Sequence, residues 1–93
     1  MIKNFHCRDT ERIFNFELVR TWDLTVRKAA LRKLKWLDAA ADLNDLRVPP
    51  ANRLEKLRGD REGQHSIRVN DQYRLCFVWR DGHAYHVELV DYH

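Results

Sequence analysis

Cysteine, glycine and proline are all scarce in this chain of 93 residues, at two, three and two copies. Cys7 and Cys76 stand far apart, match no metal-ligand spacing and are too few to staple a small secreted framework, so free thiols in a reducing compartment are expected. So few glycines leave no glycine-rich phosphate loop or nucleophile elbow, and no His/Cys cluster has metal-ligand spacing. The reading is therefore no metal and no cofactor. No apolar run approaches the ~20 residues that a membrane span requires. Met1-Ile2-Lys3-Asn4-Phe5-His6 also lacks the apolar stretch of a secretion signal, so a cytoplasmic protein without a membrane partner is expected.

What is present suits one soluble domain. A chain this short buries only about 60–65% of the surface that its unfolded form exposes, which supports one modest core. Hydrophobic residues make up 44% and charged residues 33%, a composition that folds rather than staying disordered. The net charge is only +3, but residues 20–36 hold six basic side chains against the single acid Asp23, and no Lys or Arg follows Arg80. Such clustering can attract polyanions, although a solvated basic helix face is the commoner explanation.

Residues 2–5 alternate as a short strand. Asp9 or Thr10 can cap a first helix carrying Ile13, Phe14 and Leu18. A second helix, capped by Asp23 or Thr25, aligns Val26, Ala30, Leu34, Leu37 and Ala41 on one stripe. Its other face carries Arg27, Lys28, Arg32 and Lys35. Pro49-Pro50 ends this region and makes residues 46–52 a connector. Strands are then expected at residues 53–57, 64–69, 73–80 and 84–90, separated by turn-forming residues.

Side-chain alternation constrains how these strands pair. Ile67, Val69, Tyr73, Leu75, Phe77, Trp79, Tyr85, Val87 and Leu89 share one face only if both hairpin loops have an odd number of residues. Loops at residues 70–72 and 81–83 meet that condition, pairing Val69 with Tyr73, Ile67 with Leu75, Trp79 with Tyr85 and Phe77 with Val87. The opposite face then holds Ser66, Arg68, Arg74, Cys76, Val78, Arg80, His86, Glu88 and Val90, with Arg68 directly across from Arg74. Like charges so placed repel, which implies a nearby carboxylate or an anionic ligand such as phosphate. Arg74 also faces Val90, so Asp91, Tyr92 and His93 fall beside both arginines.

This collection suits RNA cleavage by the substrate's own 2′-hydroxyl, which needs a base, a cation for the transition state and an acid for the leaving oxygen. Arg68 and Arg74 can hold phosphate, Asp91 and His93 can move protons, and Tyr92 can stack a base or donate its hydroxyl. Arg58 and Glu55 stand at the adjoining first strand. A structural Arg–carboxylate pair fits the same residues. His65 shares the core parity, His83 sits in a turn, His86 lies far from the tail, and His6 is expected at the surface. Trp22, Trp36 and Trp79 fit packing better than base stacking.

Residues 54–77, LEKLRGDREGQHSIRVNDQYRLCF, and the ending Val90-Asp91-Tyr92-His93 resemble the HigB toxins, the plasmid-maintenance killer proteins of the RelE/ParE-like superfamily. The resemblance spans essentially the whole chain. It implies an α+β RelE-like fold: a short N-terminal strand and two helices packed on a curved, mainly antiparallel sheet completed by four C-terminal strands. It also implies a type II toxin that cuts mRNA on the ribosome, with Arg27, Lys28, Arg32 and Lys35 contacting ribosomal RNA. The implied partners are the ribosome and mRNA, a HigA-like helix-turn-helix antitoxin, and operator DNA through the antitoxin complex. Asp91, Tyr92 and His93 match the family's catalytic tail. Some members carry histidine where this chain has Glu55 and lysine where it has Arg58. An arginine is a poor proton shuttle, so slow cleavage is expected if Arg58 takes the lysine's place. The competing readings are a ParE-like, non-catalytic gyrase poison and a non-catalytic RNA-binding module.

Overall fold

A computed structural model describes residues 1–92; His93 lies outside them. The helices are α1 (Arg8–Phe14) and α2 (Leu24–Ala39). The strands β1 (Glu55–Lys56), β2 (His65–Arg68), β3 (Tyr73–Arg80) and β4 (His83–Asp91) form one antiparallel sheet in the order β1-β2-β3-β4. The connection from α2 to β2 contains short 3-10 turns at Leu43–Arg47, Pro50–Asn52 and Gly59–Arg61.

The α2 cap is Asp23, whose carboxylate accepts the Val26 N–H at 2.9 Å. Ala30, Leu34 and Leu37 are fully buried against the sheet, as the stripe predicts. Ala41 is not part of that stripe: the helix ends at Ala39, and Ala41 is exposed. The Asp45 carboxylate accepts the N–H groups of both Ala41 and Asp42 at 3.0 Å, which draws this backbone into the next turn.

The first helix begins before either expected cap, at Arg8, with Cys7 as its N-cap. Thr10 is instead fully buried, and its hydroxyl accepts the Leu89 N–H at 3.0 Å. Asp9 pairs with Arg12 at 3.1 Å and accepts the Thr21 hydroxyl at 2.6 Å. Phe16 adopts a left-handed backbone (φ 62°) beyond the helix end, and Leu18 is exposed outside the helix rather than on its apolar stripe. The expected first strand reduces to two isolated parallel bridges, Ile2 to Ala84 and Phe5 to Val87.

The β2–β3 pairing follows the sequence reading: Ile67 faces Leu75, Arg68 faces Arg74, and Val69 N–H donates to the Tyr73 carbonyl at 3.0 Å. The β3–β4 turn differs. Arg80 pairs with His83, so the loop is Asp81-Gly82, both at positive φ (54° and 80°), the geometry that Asp-Gly favours in a tight hairpin. Trp79 therefore faces Ala84 and Val78 faces Tyr85, and the expected pairs Trp79–Tyr85 and Phe77–Val87 do not form.

A register shift between Cys76 and Val78, with His86 at φ 53°, restores the pairing of Cys76 with Glu88, Leu75 with Leu89 and Arg74 with Val90. Asn4 supports this irregularity by accepting the His86 N–H on its side chain at 2.6 Å and the Val87 N–H on its carbonyl at 3.3 Å. Ile67, Leu75, Phe77 and Val87 consequently meet the α2 stripe in one core, while Ser66, Arg74, Cys76 and Glu88 belong to the other face of the sheet.

Candidate active site

The β2–β3 register, continued into β4, builds an open cleft of about 270 Å³ whose walls include Arg53, Glu55, Arg68, Asn70, Arg74 and Tyr92. Four of these residues, Glu55, Arg68, Arg74 and Tyr92, are the ones that alternation brings together. Asn70 builds the floor turn: its side-chain oxygen accepts the N–H groups of Gln72 at 2.9 Å and Tyr73 at 2.7 Å.

Arg74 is only 8% exposed. Its Nε donates to Ser66 Oγ at 2.7 Å, and its Nη2 donates to the Arg53 carbonyl and, at 3.3 Å, to the Ser66 carbonyl. These acceptors are neutral, so they fix the guanidinium without cancelling its charge. Among the described residues its ion pair, with the exposed Glu55 at 3.9 Å, is long and weak. Arg68 pairs with Asp71, the carboxylate that relieves the repulsion across the strands.

The tail is tied to this floor. Tyr92 N–H donates to the Gln72 carbonyl at 2.8 Å, and the Gln72 side-chain amide donates to Asp91 Oδ2 at 3.0 Å. The Tyr92 ring lies 5.9 Å from the Arg74 guanidinium carbon. Burial, and after it the neighbouring Cys76 thiol, push the Tyr92 hydroxyl above its ordinary value near 10, against the pull of Arg61 and Arg74. At neutral pH Tyr92 is a hydrogen-bond donor, not an anion. His93, expected beside it, falls outside the described residues.

Arg58 is exposed ahead of the turn at Gly59–Arg61 and does not line the cleft. Arg61 is the basic residue that this turn turns towards the sheet. It donates to Glu88 at 2.7 Å and to Gln64 at 3.1 Å, and the Glu88 hydrogen bond holds its proton more tightly still. Sequence reasoning missed Arg53, Asn70, Asp71 and Arg61 as site residues. Asn70 and Asp71 were within reach, because their loop had the right register and flanks both arginines.

Arg27, Lys28, Arg32 and Lys35 of α2 do not line the cleft. Arg27 and Lys28 border a second, apolar groove of about 170 Å³ with Ile13, Phe16, Leu24 and Leu31. Lys35 stands over the Phe16 ring at 5.0 Å, and Arg32 is exposed. His65 stacks on Phe77 with 6.3 Å between ring centres, a packing role in line with its parity. Both cysteines are free, and among the described residues no group of three His, Cys, Asp or Glu side chains is placed to hold a metal ion.

Residues 3–93 match a protein-family model described as the RelE-like toxin of type II toxin-antitoxin system HigB. Toxin HigB-1 of Vibrio cholerae is 52% identical over 65 residues, which cover 70% of this chain and 68% of that protein. Endoribonuclease HigB of Proteus vulgaris is 36% identical over 61 residues, covering 66% of this chain and 65% of that protein. In shape, the chain superposes on a chain of the YoeB–YefM complex from Staphylococcus aureus with a TM-score of 0.62, at 22% identity and over 100% of this chain and 98% of the other. That superposition concerns the fold alone.

Proposed function

Since the chain belongs to the HigB-like family, the RelE-like toxins of type II toxin-antitoxin systems, we propose that it is a metal-independent endoribonuclease acting on ribosome-bound mRNA in the cytoplasm. A helix-turn-helix antitoxin of the HigA type restrains it and, in complex with it, binds operator DNA. The observation that carries the catalytic reading is Arg68 directly opposite Arg74 in a cleft that also holds Tyr92, with the Arg74 charge braced by neutral oxygens. The name of the Proteus relative, Endoribonuclease HigB, supports the same activity.

In this reaction the substrate's 2′-oxygen attacks the adjacent phosphorus, the O2′–P bond forms and the P–O5′ bond breaks. The products are a 2′,3′-cyclic phosphate and a 5′-hydroxyl. Arg68 and Arg74 stabilise the extra negative charge of the transition state. Asp91 and His93 exchange protons with the attacking and leaving oxygens, and Glu55 at the cleft wall is a further proton acceptor. Tyr92 orients the nucleotide by stacking and by its hydroxyl. Arg58, exposed and off the cleft wall, contributes positive charge rather than shuttling a proton.

An enzyme this small has little surface with which to align a flexible strand, so it relies on the ribosome to hold the mRNA, and Arg27, Lys28, Arg32 and Lys35 contact ribosomal RNA. The test is a reconstituted translation reaction with purified protein and end-labelled mRNA. The expected products carry 2′,3′-cyclic phosphate and 5′-hydroxyl ends and appear only with ribosomes present. Equal cutting of naked RNA would remove the ribosome from the proposal. Intact mRNA alongside cleaved gyrase–DNA complexes would replace the nuclease with a gyrase poison.

A further inference from the structure

The three arginines of the cleft differ in how much hydrogen-bonding capacity they have already committed. Arg74 uses Nε and Nη2 on Ser66 and the Arg53 carbonyl, and Arg68 is paired with Asp71. The Arg53 side chain is exposed on the cleft wall, and among the described residues it has no ion pair and donates no hydrogen bond. It is the cation there whose charge and donors are wholly available to a ligand.

Its backbone, by contrast, is firmly held. Arg53 adopts a left-handed conformation (φ 44°, ψ 58°) at the end of the turn Pro50–Asn52, and its N–H donates to the Pro50 carbonyl at 3.1 Å. The preceding Asn52 is fully buried. Its side-chain amide donates to the carbonyls of Leu46 at 3.2 Å and Val48 at 3.4 Å, and its oxygen accepts from the buried Lys33 ammonium at 2.5 Å. A non-glycine residue keeps a left-handed backbone only where its surroundings over-determine it. Here they aim the Arg53 carbonyl at Arg74 and leave the side chain at the cleft.

Arg74 thus touches Arg53 through one nitrogen, while its guanidinium carbon lies 5.9 Å from the Tyr92 ring. Arg53, Arg74 and Tyr92 thus line the same cleft, with Arg53 anchored to Arg74 through its backbone and free of it through its side chain. Building on the ribonuclease reading, we propose that Arg53 binds the RNA phosphate next to the one that is cut, and so sets the register of the strand in the cleft. One guanidinium on a rigid backbone anchor gives a fixed second point of attachment, which a flexible single strand needs in order to present one phosphodiester rather than its neighbour.

The test is a fluorescence-anisotropy titration of the full chain with a short single-stranded RNA bearing 2′-O-methyl riboses, which cannot be cleaved, between low and moderate salt. Arg53→Gln should weaken binding roughly 5- to 20-fold at low salt and reduce the slope of log affinity against log salt by about 0.7, the value for one phosphate contact on a single strand. Arg53→Lys should restore the slope, because it keeps the charge. An unchanged slope in Arg53→Gln with an unchanged melting temperature overturns the inference, as does the absence of wild-type binding. Parallel cleavage assays on ribosomes separate the two claims. Wild-type binding with the expected Arg53 effect but no mRNA cleavage sinks the nuclease reading and leaves Arg53 as a phosphate contact only; normal cleavage with no Arg53 effect on binding sinks this inference alone.

Discussion

Arg74 illustrates how one side chain serves both stability and chemistry. Its buried guanidinium needs Ser66 Oγ, itself fully buried, as an acceptor. Ser66→Ala should therefore cost about 1–3 kcal/mol, because it strands a charged donor. Urea unfolding should show a lower midpoint at unchanged slope, together with slower RNA cleavage; unchanged stability would mean that another acceptor replaces the hydroxyl. His65 gives a second residue-scale prediction. Burial, reinforced by Lys56 and Arg47, holds its imidazole below the ordinary value near 6.5, and its buried Nδ1 has no hydrogen-bond partner among the described residues. The unfolded chain therefore takes up this proton at a pH where the folded chain still resists it. Stability falls as the pH drops below about 6.5 and levels off once folded His65 also protonates. His65→Phe should flatten stability measured between about pH 7.5 and 5.5, whereas an unaltered slope would assign the acid sensitivity to other groups. Arg68 and Arg74 were legible in the sequence because strand alternation has a fixed period. Arg53 and Arg61 were not, because each is set by a 3-10 turn that no periodicity encodes.

Among the elements, the β3–β4 hairpin separates what pattern can and cannot determine. The apolar alternation required the core residues of both strands to share a face, and it assigned that condition to an odd loop. The chain satisfies it for Val87 and Leu89 with the even Asp81-Gly82 loop and a compensating irregularity near His86, so Arg74–Val90 pairs as expected, whereas Tyr85 pairs with Val78 and leaves the core face. Asp-Gly favours the two-residue turn, but a bulge has no equally plain signature. Gly82 has φ 80°, and a Cβ there would stand 3.3 Å from the Ala41 carbonyl oxygen. Gly82→Ala should cost about 1 kcal/mol or more in thermal unfolding, whereas Asp81→Gly, at a position already in the left-handed region, should be neutral or stabilising. Equal effects of the two would show that the turn relaxes freely. The α2 register was legible because Asp23 caps a long apolar stripe; the end of that helix was not, because it depends on Asp45 reaching back to Ala41.

At the scale of the molecule, the sheet divides the protein between a helical side that supplies the core and an opposite face that supplies the cleft. Arg27, Lys28, Arg32 and Lys35 of α2 do not line the cleft, so their part in the proposed reaction is attraction and docking rather than chemistry. Reversing Arg32 and Lys35 to Glu should slow engagement of ribosomes more at low salt than at high salt, with folding stability within about ±0.5 kcal/mol. Equal loss at all salt concentrations would argue for a specific contact instead. Whether the cleft built around Arg74 cuts translated mRNA is decided by mapping transcript 5′ ends. Wild-type protein and Arg74→Gln would each be induced briefly in cells lacking the antitoxin, at matched levels of soluble protein. New 5′-hydroxyl ends within translated frames are expected for the wild type, and their loss in the variant. Growth arrest by the wild type without new ends, or undiminished ends in the variant, would contradict cleavage by this cleft.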